Sequence, residues 1–280
     1  MKQRNMQKRH THRIVGWALA HRFRNGGASP TLQLSMSFTL CLLLVIGCGK
    51  KETAKPKELM VLCGSSFVPP TEQLCSEFKA LTGIEIITTV GGSEDLLPHI
   101  KAHLKGDIFI THDPYLDYTR DANALADGVQ VGFVAPVLAV QKGNPQGIKS
   151  MEDLARPSLK IALSDPQYST CGQMVFALLE KKGIEDAVMK NVENRLTKGH
   201  STLGTFLKTQ AVDAVIMWNG VAHTFRDSLD VVRTPYEYDE EVRVHIMGLS
   251  YTKQPEELRK FMEFARNRSP AIFAEHAYVK

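Results

Sequence analysis

Residues 59–83, LMVLCGSSFVPPTEQLCSEFKALTG, admit few readings. The apolar run 59–62 reads as a buried strand, and Gly64-Ser65-Ser66 ends it in a small-residue turn. A helix has to follow at once. Pro69 and Pro70 fit only its start or first turn, where a missing N–H costs nothing, and Leu74, Phe78 and Leu81 form an apolar stripe before Gly83 stops it. Such a join puts two hydroxyls and several unpaired backbone N–H groups between the carboxyl end of a strand and the amino end of a helix. α/β sheets gather anions at that position.

The chain then repeats the join. Residues 84–90 alternate β-branched positions and read as a second strand ending at Gly91-Gly92-Ser93, and a helix follows with Leu96, Leu97, Ile100 and Leu104 inward and Pro98 confined to its first turn. A third strand over 107–110 leads to Thr111-His112-Asp113-Pro114 and a short helix through Leu116. The longer apolar run 131–140 holds Pro136, which fits a chain passing from one lobe to another better than a central strand. Beyond it come a strand at 159–163, a loop 165–172 opening a helix over 173–182, a helix from His200, and the strand AVIMW ending at Trp218. A strand over Val242–Leu249 and an amphipathic helix over 255–265 close the chain. Strands alternating with helices predict a mostly parallel sheet in each of two lobes.

Residues 1–47 stand apart. They hold Lys2, Arg4, Lys8, Arg9, Arg13, Arg22 and Arg24 and no acid, so removing these seven charges from the formal +4 leaves −3 from Cys48 onward. That balance gives no electrostatic footprint for nucleic acid. Residues 36–46 form an apolar core too short to cross a bilayer and of the length of a signal sequence's hydrophobic region. The core runs through Val45-Ile46-Gly47 into Cys48, and the polar tether GKKETAKPK follows. This step resembles a bacterial lipoprotein signal, which implies a signal peptide over 1–47, lipidation of Cys48 and a tether over 48–57; an ordinary signal-anchor cysteine is the alternative. Met6 and Met36 are alternative starts. Cys63, Cys75 and Cys171 remain, an odd number without a CxxC pattern, so no disulfide scaffold is expected.

The order strand–GSS–helix, strand–GGS–helix, then DIFITHD over 107–113, KIALSDP over 160–166, AVIMW and the closing RSPAIFAEHAYVK resembles the molybdate-binding proteins of ABC importers, the oxyanion branch of the type II periplasmic binding fold. The likeness runs from Leu59 to the carboxyl terminus. It implies a two-lobed α/β protein, each lobe a mostly parallel sheet flanked by helices, with lobe I at 58–136 plus 244–280 and lobe II at 137–243. It also implies a monomeric, lipid-anchored binding protein on the periplasmic side of the membrane, which delivers molybdate or tungstate to an ABC permease. No cofactor and no catalysis are implied. In that family serine hydroxyls and backbone N–H groups hold the anion without a cation. Carried over by position, the ligand-binding candidates are Ser66, Ser93 and the backbone N–H of Cys171, with the backbone N–H of His200 and the side chain of Trp218 less firmly placed. Trp218 departs from the family's usual tyrosine, though an indole N–H still donates.

Each candidate has a plainer reading. Ser66 and Ser93 could be helix caps, and Trp218 core packing. His112, Cys171 and His200, with Glu94, are ligand types of a transition-metal site, which makes a metal-cation-binding protein the rival, with sulfate as a different oxyanion. Ser65-Ser66 with His112 and Asp113 could be imagined as a hydrolase site, but no GxSxG elbow, HExxH, Walker loop or GxGxxG is present. A sensory domain would share the fold.

Overall fold

The computed structural model describes residues 57–279; the expected signal over 1–47, Cys48 and the tether through residue 56 lie outside the described residues. The first join forms as its sequence requires. Strand β1 (Glu58–Gly64) passes through a 3-10 turn at Ser65–Phe67 into helix α1 (Val68–Thr82), whose first turn takes both prolines and which Gly83 ends in the left-handed region at φ 70°. The second join is β2 (Glu85–Gly91) into α2 (Ser93–Lys101). Pro98 sits in the second turn of α2, beyond the first turn expected for it, and leaves the Glu94 carbonyl without its usual donor four residues on. Next come β3 (Ile108–His112) and α3 (Tyr115–Asp121), longer than the sequence suggested, then β4 (Leu125–Val134).

The apolar run around Pro136 is two strands. β4 ends at Val134, and β5 (Pro136–Gln141) begins with the proline, where no ladder N–H is needed. β4 belongs to one five-stranded sheet, ordered β2-β1-β3-β10-β4, and β5 to another, ordered β7-β6-β8-β5-β9. The second sheet is assembled from β6 (Ile161–Ser164), α4 (Thr170–Lys181), α5 (Glu185–Val192), β7 (Leu196–Thr197), α6 (His200–Lys208), β8 (Ala214–Trp218), α7 (Asn219–Thr224) and β9 (Leu229–Val232). The chain returns to the first sheet as β10 (Val242–Leu249) and ends in α8 (Pro255–Glu275).

The α/β class holds, but each sheet is mixed where a mostly parallel one was expected. β1 runs parallel to β2 and β3, while β10 runs antiparallel to β3 and β4; β6 runs parallel to β7 and β8, while β5 runs antiparallel to β8 and β9. The parallel pairs are those reached through crossover helices. β4, β5 and β10 carry the chain between the sheets and enter in the opposite sense.

Register fixes what the strand ends present. Gly64 pairs with Gly91, so the GSS and GGS turns emerge side by side. Ser164 pairs with Thr197 in the other sheet, which brings the segments leading to α4 and α6 out at one level. Pro136 pairs with Trp218, and the crossing at Ala135 is tied to the next residue by reciprocal hydrogen bonds, Asn219 N–H to the Ala135 carbonyl at 3.0 Å and Ala135 N–H to Asn219 Oδ1 at 3.2 Å.

Beneath this, Leu59, Val61, Leu74 and Phe78 pack against Phe261 and Phe273 of α8, with the Phe78 and Phe261 rings edge to face at 5.1 Å. Each such side chain contributes about 1.5–3 kcal/mol on burial. α8 continues ten residues beyond the expected stop at 265, through Pro270, because its buried stripe continues at Ser269, Ile272 and Phe273. No described helix is long and apolar enough to cross a membrane.

Candidate functional site

The carboxyl ends of the central strands of both sheets meet, and the candidate residues line the meeting point. Two glycines make the approach possible. A Cβ on Gly64 would lie 3.0 Å from Ser93 Oγ and 3.1 Å from the Phe67 ring, so the first turn closes on the second only without one. A Cβ on Gly172 would lie 2.6 Å from the Ser164 carbonyl, so the amino end of α4 seats on the end of β6 for the same reason.

Neither Ser66 nor Ser93 caps its helix. The cap positions are Gly64 for the 3-10 turn, Phe67 for α1 and Gly92 for α2, none with a side-chain bond. Ser93, 7% exposed, instead shares a 2.5 Å hydrogen bond with the hydroxyl of Thr111, at the end of β3. Ser66 is half-buried. Its carbonyl accepts from the Tyr278 hydroxyl, and among the described residues its own hydroxyl has no partner.

From the other sheet, Cys171 stands in the first turn of α4, after Ser169, whose hydroxyl caps the helix by accepting from the Gly172 N–H at 3.2 Å. The Cys171 thiol is wholly buried and burial pushes its pKa up, so the side chain belongs to the core and the backbone N–H is what it offers the site. His200 opens α6 with Gly199 as cap, and its ring lies between two hydroxyls, Ser164 Oγ 3.4 Å from Nδ1 and Ser169 Oγ 3.4 Å from Nε2.

Trp218 joins the two groups. Its ring centroid is 5.6 Å from His112 of the first sheet and 5.6 Å from His200 of the second, and His112 in turn lies 5.9 Å from Phe67 and 5.5 Å from Tyr115. Trp218 is 1% exposed, yet its indole N–H bonds to no described residue. No buried side-chain nitrogen or oxygen there lacks a partner, so this N–H stays accessible. Trp218 touches His200 directly, while Ser66, Ser93 and Cys171 are linked to this pair through their neighbours Phe67, Thr111 and Ser169, with the helix amino ends supplying N–H groups that have no intrahelical acceptor. Cavities of about 250 Å³, between α4 and the 237–240 segment, and of about 260 Å³, lined by Phe133, Val134 and Val279, lie elsewhere.

The metal-ligand arrangement is not assembled. Among the described residues no group of three or more His, Cys, Asp or Glu side chains could hold a metal ion. Cys171 turns into the core, and the Glu94 carboxylate folds back over Gly92 toward Lys198, whose Nζ lies 3.6 Å from it and 2.9 Å from Asp95. Of the four, His112 and His200 alone share a neighbour, each lying against Trp218. The hydrolase arrangement fails as well. His112 Nδ1 donates to the Asp113 carbonyl, while the Asp113 carboxylate takes Arg243 at 2.7 Å and His245 at 2.9 Å.

Sequence reasoning missed Thr111, Ser164 and Ser169, which bond the candidates, and Lys198. Ser169 carried a usable signal as a serine directly before a helix. The other three are partners by register and cleft geometry alone.

Comparison with known proteins gives a consistent picture. Residues 59–278 match the family model described as bacterial extracellular solute-binding protein. The chain is 24% identical over 216 residues to a binding protein of Haemophilus influenzae, covering 75% of this chain and 85% of that one. It is 24% identical over 186 residues to the molybdate-binding protein ModA of Mycobacterium bovis, covering 60% of this chain and 70% of that one. The solved sulfate-binding protein SubI of Mycobacterium tuberculosis superposes with a TM-score of 0.65 at 15% identity, over 79% of this chain and 86% of that one.

Burial holds the two cleft histidines neutral, His112 pushed down to about 4 and His200, which His112 also repels, to about 3. Unfolded imidazoles titrate near 6.5, so below that pH the unfolded chain binds more protons and stability falls as pH falls. The slope is about 1.4 kcal/mol per pH unit for each ring in mid-window. The thermal midpoint of the free protein therefore drops between pH 6.5 and 5, and His112→Gln with His200→Gln flattens that part of the profile. Identical profiles for wild type and double variant would contradict this.

Proposed function

The chain belongs to the bacterial extracellular solute-binding proteins, and on that premise we propose that it captures molybdate or tungstate between two lobes and delivers it to the permease of an ABC importer. The reading is carried by the convergence of hydroxyl and N–H donors from both sheets on Trp218, with the nearby Lys198 already paired to Asp95 and Glu94. A fully ionised oxyanion only accepts hydrogen bonds, so donors at helix amino ends neutralise it through many partial charges. The Ser66 and Ser93 hydroxyls, the backbone N–H groups of Cys171 and His200, and the Trp218 indole N–H fill that role. The relative named as molybdate-binding supports molybdate over sulfate. Tungstate shares molybdate's shape and charge.

The lobes in this reading are 58–136 plus 244–280 and 137–243, one crossing being the bonded segment at Ala135. Opening about the crossings parts Trp218 from His112 and admits the anion, and closure shuts water out. The protein works outside the cytoplasmic membrane, held by a lipid on Cys48 at the end of its signal. It needs no cofactor and no second copy for the task.

Calorimetric titration of the full-length chain in detergent with molybdate, tungstate, sulfate, phosphate and zinc tests the ligand. Stoichiometric binding of the first two is expected. Ser66→Ala removes one donor to a charged acceptor, weakening binding about ten- to a hundredfold and leaving the thermal midpoint of the free protein unchanged. A response to zinc alone, or an unaltered Ser66→Ala affinity, would overturn the reading. Fractionation tests the anchor: Cys48→Ala moves the protein out of the membrane fraction, and a variant that stays there has another means of attachment.

A further inference from the structure

The oxyanion reading leaves two titratable rings in the site without a task. His112 and His200 come from opposite sheets, are 8% and 6% exposed, and flank the same indole. The tautomer of His112 is set by its partner. A backbone carbonyl can only accept, so Nδ1 carries the hydrogen and donates to Asp113 O at 2.5 Å, which leaves a lone pair on Nε2 of the neutral ring. Among the described residues that nitrogen has no hydrogen-bond partner, and it is not sealed off. A lone pair beside an acceptor-only dianion repels it; the same nitrogen protonated is a donor carrying charge.

The surroundings allow the change. Facing His112 are Phe67, Tyr115 of α3, Trp218 of β8 and, from β10, His245, whose ring together with Arg243 already engages the Asp113 carboxylate. Facing His200 are Trp218 and the hydroxyls of Ser164 and Ser169, which donate to a neutral ring or accept from a protonated one. Lys198, two residues before His200, is engaged by Asp95 and Glu94 and stacks over Tyr168 at 5.0 Å. The two imidazoles are therefore the side chains of this neighbourhood that can gain positive charge when a dianion arrives.

We propose that the cleft takes up its oxyanion together with one proton from solvent, which comes to rest on the His112–His200 pair. The proposal rests on the oxyanion reading and deepens it, because the preferred guest is then a dianion and monoanions bind less well. In the free protein burial keeps both rings neutral. A doubly negative guest against them reverses that balance. One proton enters and not two, since the rings repel each other when charged. Affinity then rises up to about tenfold for each pH unit of acidification while the loaded site holds one proton more than the free one.

The test is calorimetry of the full-length protein with molybdate and with sulfate near pH 7, in buffers of different ionisation enthalpy. Both anions are fully ionised there, so any proton taken up lands on the protein. Uptake approaching one proton per bound anion is expected, with dissociation constants falling between pH 8 and 7. His112→Gln with His200→Gln abolishes the uptake and leaves a weaker, pH-independent site. Tight anion binding with no buffer dependence and a flat pH profile in the wild type would overturn the proposal, and that comparison needs no variant to fold. Failure to bind either anion removes the oxyanion reading itself, and the proposal with it.

Discussion

The contact of Trp218 with His112 on one side and His200 on the other is what makes two sheets into one site. Each sheet alone ends in exposed strand carboxyl ends and helix amino ends, with backbone donors left over by the geometry of helices. In the proposed site those donors meet across one indole. The register pairs Gly64 with Gly91 and Ser164 with Thr197 bring the turns out at matching heights, so the meeting is built into the sheets and not improvised by loops.

The electrostatics follow from where the cations are spent. Lys198 pairs with Asp95 and Glu94, and Arg243 with Asp113; both lie close to the site, and both are committed to carboxylates. Exposed pairs of this kind contribute little to stability, about 0–1 kcal/mol each. Their effect here is on charge: the acids at the start of α2 would repel an anion, and Lys198 offsets them. What remains at the centre is neutral, namely hydroxyls, amides, an indole and two imidazoles kept uncharged by burial. A cleft of this kind has no preformed counterion and depends on many oriented dipoles.

Much of this was legible in the sequence, and the part that was not has a physical cause. The GSS and GGS turns, the all-buried AVIMW strand and the final strand were readable because apolar runs bounded by small residues leave little choice. α5, β7 and β9 were not, since helices of eight residues and strands of two or four carry too few periods. Pro270 concealed the length of α8. The candidate donors could be placed at strand and helix ends, but not their partners. Thr111 bonds Ser93, and Ser164 and Ser169 flank His200, through register that no single strand displays. The metal alternative had plausible residue types and failed on direction. Neighbours on a strand face opposite ways, so Thr111 turns to Ser93 while His112 turns to Phe67 and Trp218, and Cys171 presents its thiol to the core.

The central claim is that donors of both sheets close on one anion. Crystals grown with tungstate and measured at the tungsten absorption edge address it directly. One strong anomalous peak is expected within hydrogen-bonding distance of the Ser66 hydroxyl and of the first backbone N–H groups of α4 and α6, beside the Trp218 indole. A peak held by one sheet alone, or lodged in a surface cavity away from Trp218, would contradict it.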